Sequence, residues 1–144
     1  MVDCSIWDIL RNLLLAARWT VLLSLIAFAG GALVGLPLAL MRVSKSGVLR
    51  GMASAYIQIV QGTPLLIVLF LSYFGLGIVG LKLDPLVAAG ISFTVYAAAF
   101  LGEIWRGCIE AVPKTQWEAS DCLGLDPVQQ YAYVILPQAL RLAT

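Results

Sequence analysis

The chain has 144 residues, about one domain's worth, and is 61% hydrophobic with 12% charged residues. A soluble domain is roughly half apolar and about a quarter charged, and a chain this short has too much surface to hide so much apolar side chain from water. With a mean hydropathy of +0.95 and a formal charge of +1, the sequence excludes an ordinary soluble protein and a basic nucleic-acid binder, and points to lipid as solvent.

The first expected element precedes any span. Ile6, Ile9, Leu10, Leu13, Leu14 and Ala17 follow helical spacing, while Asp8, Arg11 and Asn12 fall elsewhere on the wheel. This pattern predicts an interfacial amphipathic helix. Trp19 to Met41 then runs 23 residues without a charge, about 34 Å as helix against a hydrocarbon core of about 30 Å. No basic region precedes this run, and it is too long for the core of a cleaved leader. Within it Ala27, Gly31, Gly35 and Ala39 recur every fourth residue, a smooth ridge that lets another helix approach closely. Pro37 is a candidate kink.

Ala55 to Leu81 is uncharged but interrupted by Gln58, Gln61 and Pro64; Leu86 to Gly102 is uncharged and closed by Glu103. Spans are therefore expected at about 19–41, 55–81 and 86–105, within a single domain 1–144. Arg42, Lys45 and Arg50 occupy the first loop without an acid, and Lys82 and Asp84 the second. The basic loop is expected to be cytoplasmic, with the N-terminus outside and everything after the third span inside. Arg11 and Arg18 argue mildly the other way.

Several polar residues interrupt these spans. Gln58 and Gln61 share a face, where they either pair across helices or line a polar path. Pro64 frees a carbonyl around Val60, open to a kink, a hinge or a substrate contact. Ser92, Tyr96, Glu103 and Glu110 fall near one face of the third helix. Carboxylates inside membranes are functional candidates by default. Yet Glu103 lies about 25 Å along the helix from Leu86, near the inner boundary, where Arg106 is its i,i+3 neighbour. Gln58, Gln61, Tyr96 and Glu103 are the substrate-path candidates, with a boundary ion pair as the plainer reading of Glu103.

After Pro113 the pattern changes. Thr115 followed three residues later by Glu118 predicts a capping box, in which Glu118 would contribute roughly 0.5–2 kcal/mol. The helix would run from about Gln116 to Leu123, with Gly124 as its left-handed stop. Asp126 and Pro127 suit the start of another helix, carrying Val128, Tyr131, Ala132 and Ile135, with Pro137 interrupting or ending it. Two short helices at a glycine turn resemble a DNA-binding helix-turn-helix in outline. But from Thr115 to Leu140 there are Glu118, Asp121 and Asp126 and no lysine or arginine. Nucleic-acid phosphates would repel that face, and a protein partner fits better.

The sequence has no histidine, so serine–histidine and cysteine–histidine nucleophile pairs and histidine metal sites are excluded. Cys4, Cys108 and Cys122 are far apart and odd in number, the pattern of small buried or lipid-facing residues rather than a disulfide framework. Gly30, Gly31 and Gly35 lie in an apolar run without the lysine of a phosphate-binding loop. No catalytic residue, metal or cofactor is expected, and the chain is not expected to hydrolyse ATP.

Glu118-Ala119-Ser120, then three residues, then Gly124, then nine, then Val134-Ile135-Leu136-Pro137 resembles the Glu-Ala-Ala loop of bacterial ABC-importer permeases. Gln61-Gly62-Thr63-Pro64-Leu65-Leu66, Gly102-Glu103-Ile104-Trp105-Arg106-Gly107, Pro113-Lys114-Thr115-Gln116-Trp117-Glu118 and Leu136-Pro137-Gln138-Ala139-Leu140-Arg141 resemble the polar amino-acid branch, the histidine/glutamine type. The likeness extends from about Thr20 to the end. It implies an all-α, multi-pass protein of the bacterial inner membrane with part of the type I importer fold. It also implies a permease subunit that pairs with a second one, identical or different, and receives polar amino acids from an extracytoplasmic binding protein. The cytoplasmic segment at about 113–140 would dock on an ATP-binding subunit through Thr115, Trp117, Glu118, Ala119, Ser120 and Gly124.

The sequence departs from the family at Ser120, where alanine is usual, and at Val134, where isoleucine is. Many relatives carry arginine in place of Gln61 and glutamine in place of Val68. The family has five membrane helices, so two more spans would follow Thr144 and the sequence reads as a partial chain. The alternative is a three-helix membrane adaptor, or a non-functional truncated permease, that holds a cytoplasmic partner without transport.

Overall fold

The structure, a computed structural model, describes residues 6–143; Cys4 lies outside them. The described residues are helical and include no strand. The first helix, α1 (Ile6–Val43), is one uninterrupted rod of 38 residues, about 57 Å long. The separate interfacial helix expected before the first span is thus continuous with it, because nothing from Ile6 to Trp19 is a glycine or proline that would break the hydrogen-bond ladder. The helix also runs through Pro37.

Next come α2 (Gly47–Gly62) and α3 (Leu65–Ile78), whose axes meet at 103°. The apolar stretch from Ala55 to Leu81 is therefore a bent pair rather than a straight span. Proline excludes the preceding residue from helical geometry, and Thr63 accordingly sits at φ −104°, ψ 128°. Thr63 also uses the carbonyls that Pro64 frees: its N–H donates to the Val60 carbonyl at 3.2 Å and its hydroxyl to that of Ile59 at 2.7 Å. The Val60 carbonyl belongs to the bend. A widened, π-type turn at Leu71–Gly75 interrupts α3.

At the centre lies α4 (Pro85–Glu110), started by the Asp84 carboxylate, which accepts the Leu86 N–H at 2.9 Å. The helices α1, α2 and α3 all pack on it. Along the α1–α4 seam Gly31, Gly35 and Ala39 are buried, the two glycines against Ala97, Ala98 and Gly102. This is the four-residue ridge meeting a small-residue face. A Cβ on Gly31 would stand 2.6 Å from that of Ala97, and one on Gly35 3.0 Å from the Gly102 nitrogen. Among the described residues two helices, α1 and α4, are long and apolar enough to cross a membrane, and a third crossing exists if α2 and α3 count as one broken span.

The chain then forms α5 (Lys114–Cys122) and α6 (127–143). The latter begins as α-helix at Pro127–Gln129, widens to a π-turn at Gln130–Ile135 and resumes at Leu136–Ala143. Pro137 does not end it. A proline ring collides with the carbonyl four residues earlier, and the wider turn immediately before it gives that carbonyl room.

Candidate functional site

The α5–α6 unit is built on a buried apolar cluster. Ile109 and Val112 at the end of α4 meet Ile135 and Ala139 of α6 and Ala39 of α1, with Trp117 and Tyr131 packed alongside. The Trp117 and Tyr131 rings meet edge-on, their centroids 5.2 Å apart. Burial pushes the Tyr131 phenol above its ordinary range, so it remains a neutral packing group. Because Ala39 belongs to this cluster, α5 and α6 are mechanically continuous with the seam that joins α1 to α4.

The helix α5 does not begin as expected. Its N-cap is Pro113, without a side-chain cap, and Thr115 is already inside the first turn. The Thr115–Glu118 capping box therefore does not form. Proline's fixed φ lets the helix start earlier, at Lys114, and moves both residues past the orphan N–H groups. Glu118 and Ala119 are exposed. The capping box is instead one helix later: Asp126 accepts the Gln129 N–H at 2.8 Å, and the Gln129 side chain accepts the Asp126 N–H at 3.1 Å.

The turn between the helices is closed from three sides. Gly124 has φ +72°; its N–H donates to the Asp121 carbonyl at 2.9 Å, and that of Leu125 to Ser120 at 3.3 Å. This is the paired hydrogen bonding of a Schellman stop. Ser120 is buried, its hydroxyl donating to the Trp117 carbonyl at 2.7 Å. The buried amide of Gln130 donates to the Asp121 carboxylate and, at 3.2 Å, to the Leu125 carbonyl. Beyond this frame Leu123 and Val128 project on either side of Gly124, 77% and 76% exposed. Leu123 was not singled out from the sequence; an apolar residue flanking a polar glycine turn was the available signal.

Gly124→Val places a β-branched side chain in a left-handed conformation, at a cost of about 1–3 kcal/mol. The expected result is a lower thermal midpoint of the purified protein, read by intrinsic tryptophan fluorescence.

The substrate-path candidates are only partly brought together. Gln61 donates to the Ala99 carbonyl of α4 at 3.4 Å, and Tyr56 to that of Val95 at 2.8 Å. Tyr96 packs against the Ile57, Val60 and Ala99 cluster and lines a cavity of about 500 Å³ with Trp19, Ser24, Leu65 and Phe93. Gln58 does not join Gln61: it is exposed, with its amide on the Ser54 hydroxyl of its own helix at 3.2 Å. Ser92 is buried and satisfied by the Ala88 carbonyl at 2.7 Å.

Glu103 sits between two guanidinium groups, with Arg42 of α1 at 3.1 Å and Arg106 at 2.8 Å; Arg106 also meets Glu110 at 2.5 Å. The i,i+3 partner was legible from spacing; Arg42, 61 positions away in the chain, was not. Glu103→Gln removes the charge that holds α1 to α4 at this end. A hydrogen bond to a charged group is worth about 1.5–3 kcal/mol. A drop in thermal midpoint is therefore expected, and the double variant Arg42→Gln, Glu103→Gln should lose less than the sum of the singles.

Residues 27–144 match the family described as binding-protein-dependent transport system inner membrane component. The chain is 36% identical to the probable amino-acid ABC transporter permease protein YckA of Bacillus subtilis, covering 99% of this chain and 68% of that protein. It is 32% identical to the glutamine transport system permease protein GlnP of Escherichia coli, covering 95% and 64%. A crystal structure of an amino acid ABC transporter with histidines superposes with a TM-score of 0.80 at 32% identity, over 97% of this chain and 67% of that one. Across the first curated relatives the chain spans 57% to 68% of their length.

Proposed function

The chain belongs to the binding-protein-dependent transport system inner membrane components, and from that premise we propose that it is the transmembrane permease subunit of an ATP-driven importer of polar amino acids. Its partners would be a cytoplasmic ATP-binding subunit, a second permease subunit and an extracytoplasmic amino-acid-binding protein. The observation that carries the coupling role is the α5–Gly124–α6 unit: a rigidly closed turn with two exposed apolar residues at its tip, rooted in a core shared with α1 and α4. Thr115, Trp117, Glu118, Ala119, Ser120 and Gly124 form or frame that unit. Closure of the ATP-binding subunits would displace the tip, and the shared core would pass the displacement to the seam. Transport then requires substrate affinity to differ between the two arrangements. Tyr96 and Glu103 of α4, and Gln61, which reaches α4 from α2, are candidates for the path; Gln58, exposed on α2, is the weakest of the four.

Proteoliposomes holding the chain, a second permease subunit, an ATP-binding subunit and a binding protein test the reading. ATP-dependent uptake is expected, with competition among labelled amino acids revealing the preferred substrate. An adaptor that only holds a cytoplasmic partner gives binding and no uptake.

A further inference from the structure

The elbow between α1 and α2 has a charge pattern that coupling and transport leave unused. Arg42, Lys45 and Arg50 fall within nine positions without an acid among them. Their roles then separate. Arg42 is engaged by Glu103, whereas Lys45 and Arg50 are exposed and have no ion pair among the described residues.

Depth in the bilayer follows from the flanking sequence. Arg42 is the first charge after the uncharged run from Trp19, and Arg50 the last before an uncharged run that extends to Leu81. The two apolar runs draw the elbow to the membrane boundary, where headgroup phosphates lie. The first turns of α2 fit the same placement. Ala53, Ile57 and Val60 are its buried face, while Val48, Leu49 and Met52 are exposed. Two exposed cations without an ion pair among the described residues, held at the membrane boundary, match the negative headgroup of a phospholipid.

We propose that the α1–α2 elbow is a contact surface for anionic phospholipids of the adjoining leaflet, bound through Lys45 and Arg50. The proposal needs only that α1 and α2 enter a bilayer; it stands independently of what is transported. Since Val43 and Leu40 of α1 pack against the Ile109–Ile135 cluster, a headgroup held here would also anchor the root of the coupling unit.

The test is native mass spectrometry of the protein released from bilayers of equal phosphatidylglycerol and phosphatidylcholine. Phosphatidylglycerol is expected to be enriched among the retained lipids. The enrichment should fall about fivefold for Lys45→Gln or Arg50→Gln, and about 25-fold for both. The charge-preserving pair Lys45→Arg, Arg50→Lys should keep it, and so should Lys82→Gln in the other loop. Equal enrichment in wild type and the double glutamine variant overturns the proposal. So does its loss in the charge-preserving pair, or its removal by excess inorganic phosphate, which would assign the cations to a soluble anion.

Discussion

Deleting residues 118–125 is expected to abolish co-purification of the ATP-binding subunit with the permease. The deletion removes Leu123, the left-handed Gly124 and the paired hydrogen bonds that set the angle between α5 and α6. It leaves Ala39, Ile109, Val112, Ile135 and Ala139, the buried cluster beneath, so the membrane helices retain their seam. Anchor residues at protein interfaces cost about 2 kcal/mol or more when truncated, roughly a thirtyfold loss of affinity each. Leu123→Ala should therefore weaken the complex on that scale, with Val128→Ala close to it. Glu118→Ala is the informative contrast. Its carboxylate makes no helix cap, so any loss of binding on its removal measures contact with the partner rather than helix stability. Pull-down from detergent with the subunit at fixed concentration reads all four variants. Undiminished recovery after the deletion refutes docking at this unit.

The membrane architecture was legible because it is written in local terms. Charge-free runs, the four-residue spacing of the α1 ridge and the glycine after α5 are each complete within a short stretch of sequence. What escaped depended on geometry that spacing does not encode. The Thr115–Glu118 pair satisfies the capping pattern, but Pro113 starts the helix too early for it to serve. Pro137 read as an interruption, and the π-turn before it lets the helix continue. Gln58 and Gln61 share a face of an ideal helix, yet only Gln61 reaches α4. In the sequence Arg42 speaks only for orientation, because its pairing with Glu103 exists only once α1 and α4 are in contact. In the candidate site, Gly124 is legible as a backbone device; the buried Ser120 hydroxyl on the Trp117 carbonyl and the exposed tip formed by Leu123 and Val128 required the turn itself.

The seam between α1 and α4 gives the sharpest prediction on stability, because its sign opposes that of helix propensity. Alanine is favoured over glycine in a helix interior by about 1 kcal/mol, so Gly51→Ala in α2, with nothing within 4 Å of the added Cβ, should stabilise. The same change at Gly31 meets the Ala97 Cβ at 2.6 Å and the Ala97 carbonyl carbon at 3.1 Å. Backbone and Cβ cannot turn aside as a long side chain can, so the helices must separate. Overpacking typically costs about 1–3 kcal/mol and occasionally more, which outweighs the propensity gain. Gly31→Leu adds three further carbons at the same contact and should abolish a monodisperse folded species. Separation would also be felt about three turns on, where Arg42 reaches Glu103 across the same seam. Thermal unfolding monitored by size-exclusion of detergent-solubilised protein distinguishes the cases. A raised midpoint for Gly51→Ala beside a lowered one for Gly31→Ala is the expected pattern. An unchanged midpoint for Gly31→Leu would mean that α1 and α4 do not meet along this ridge.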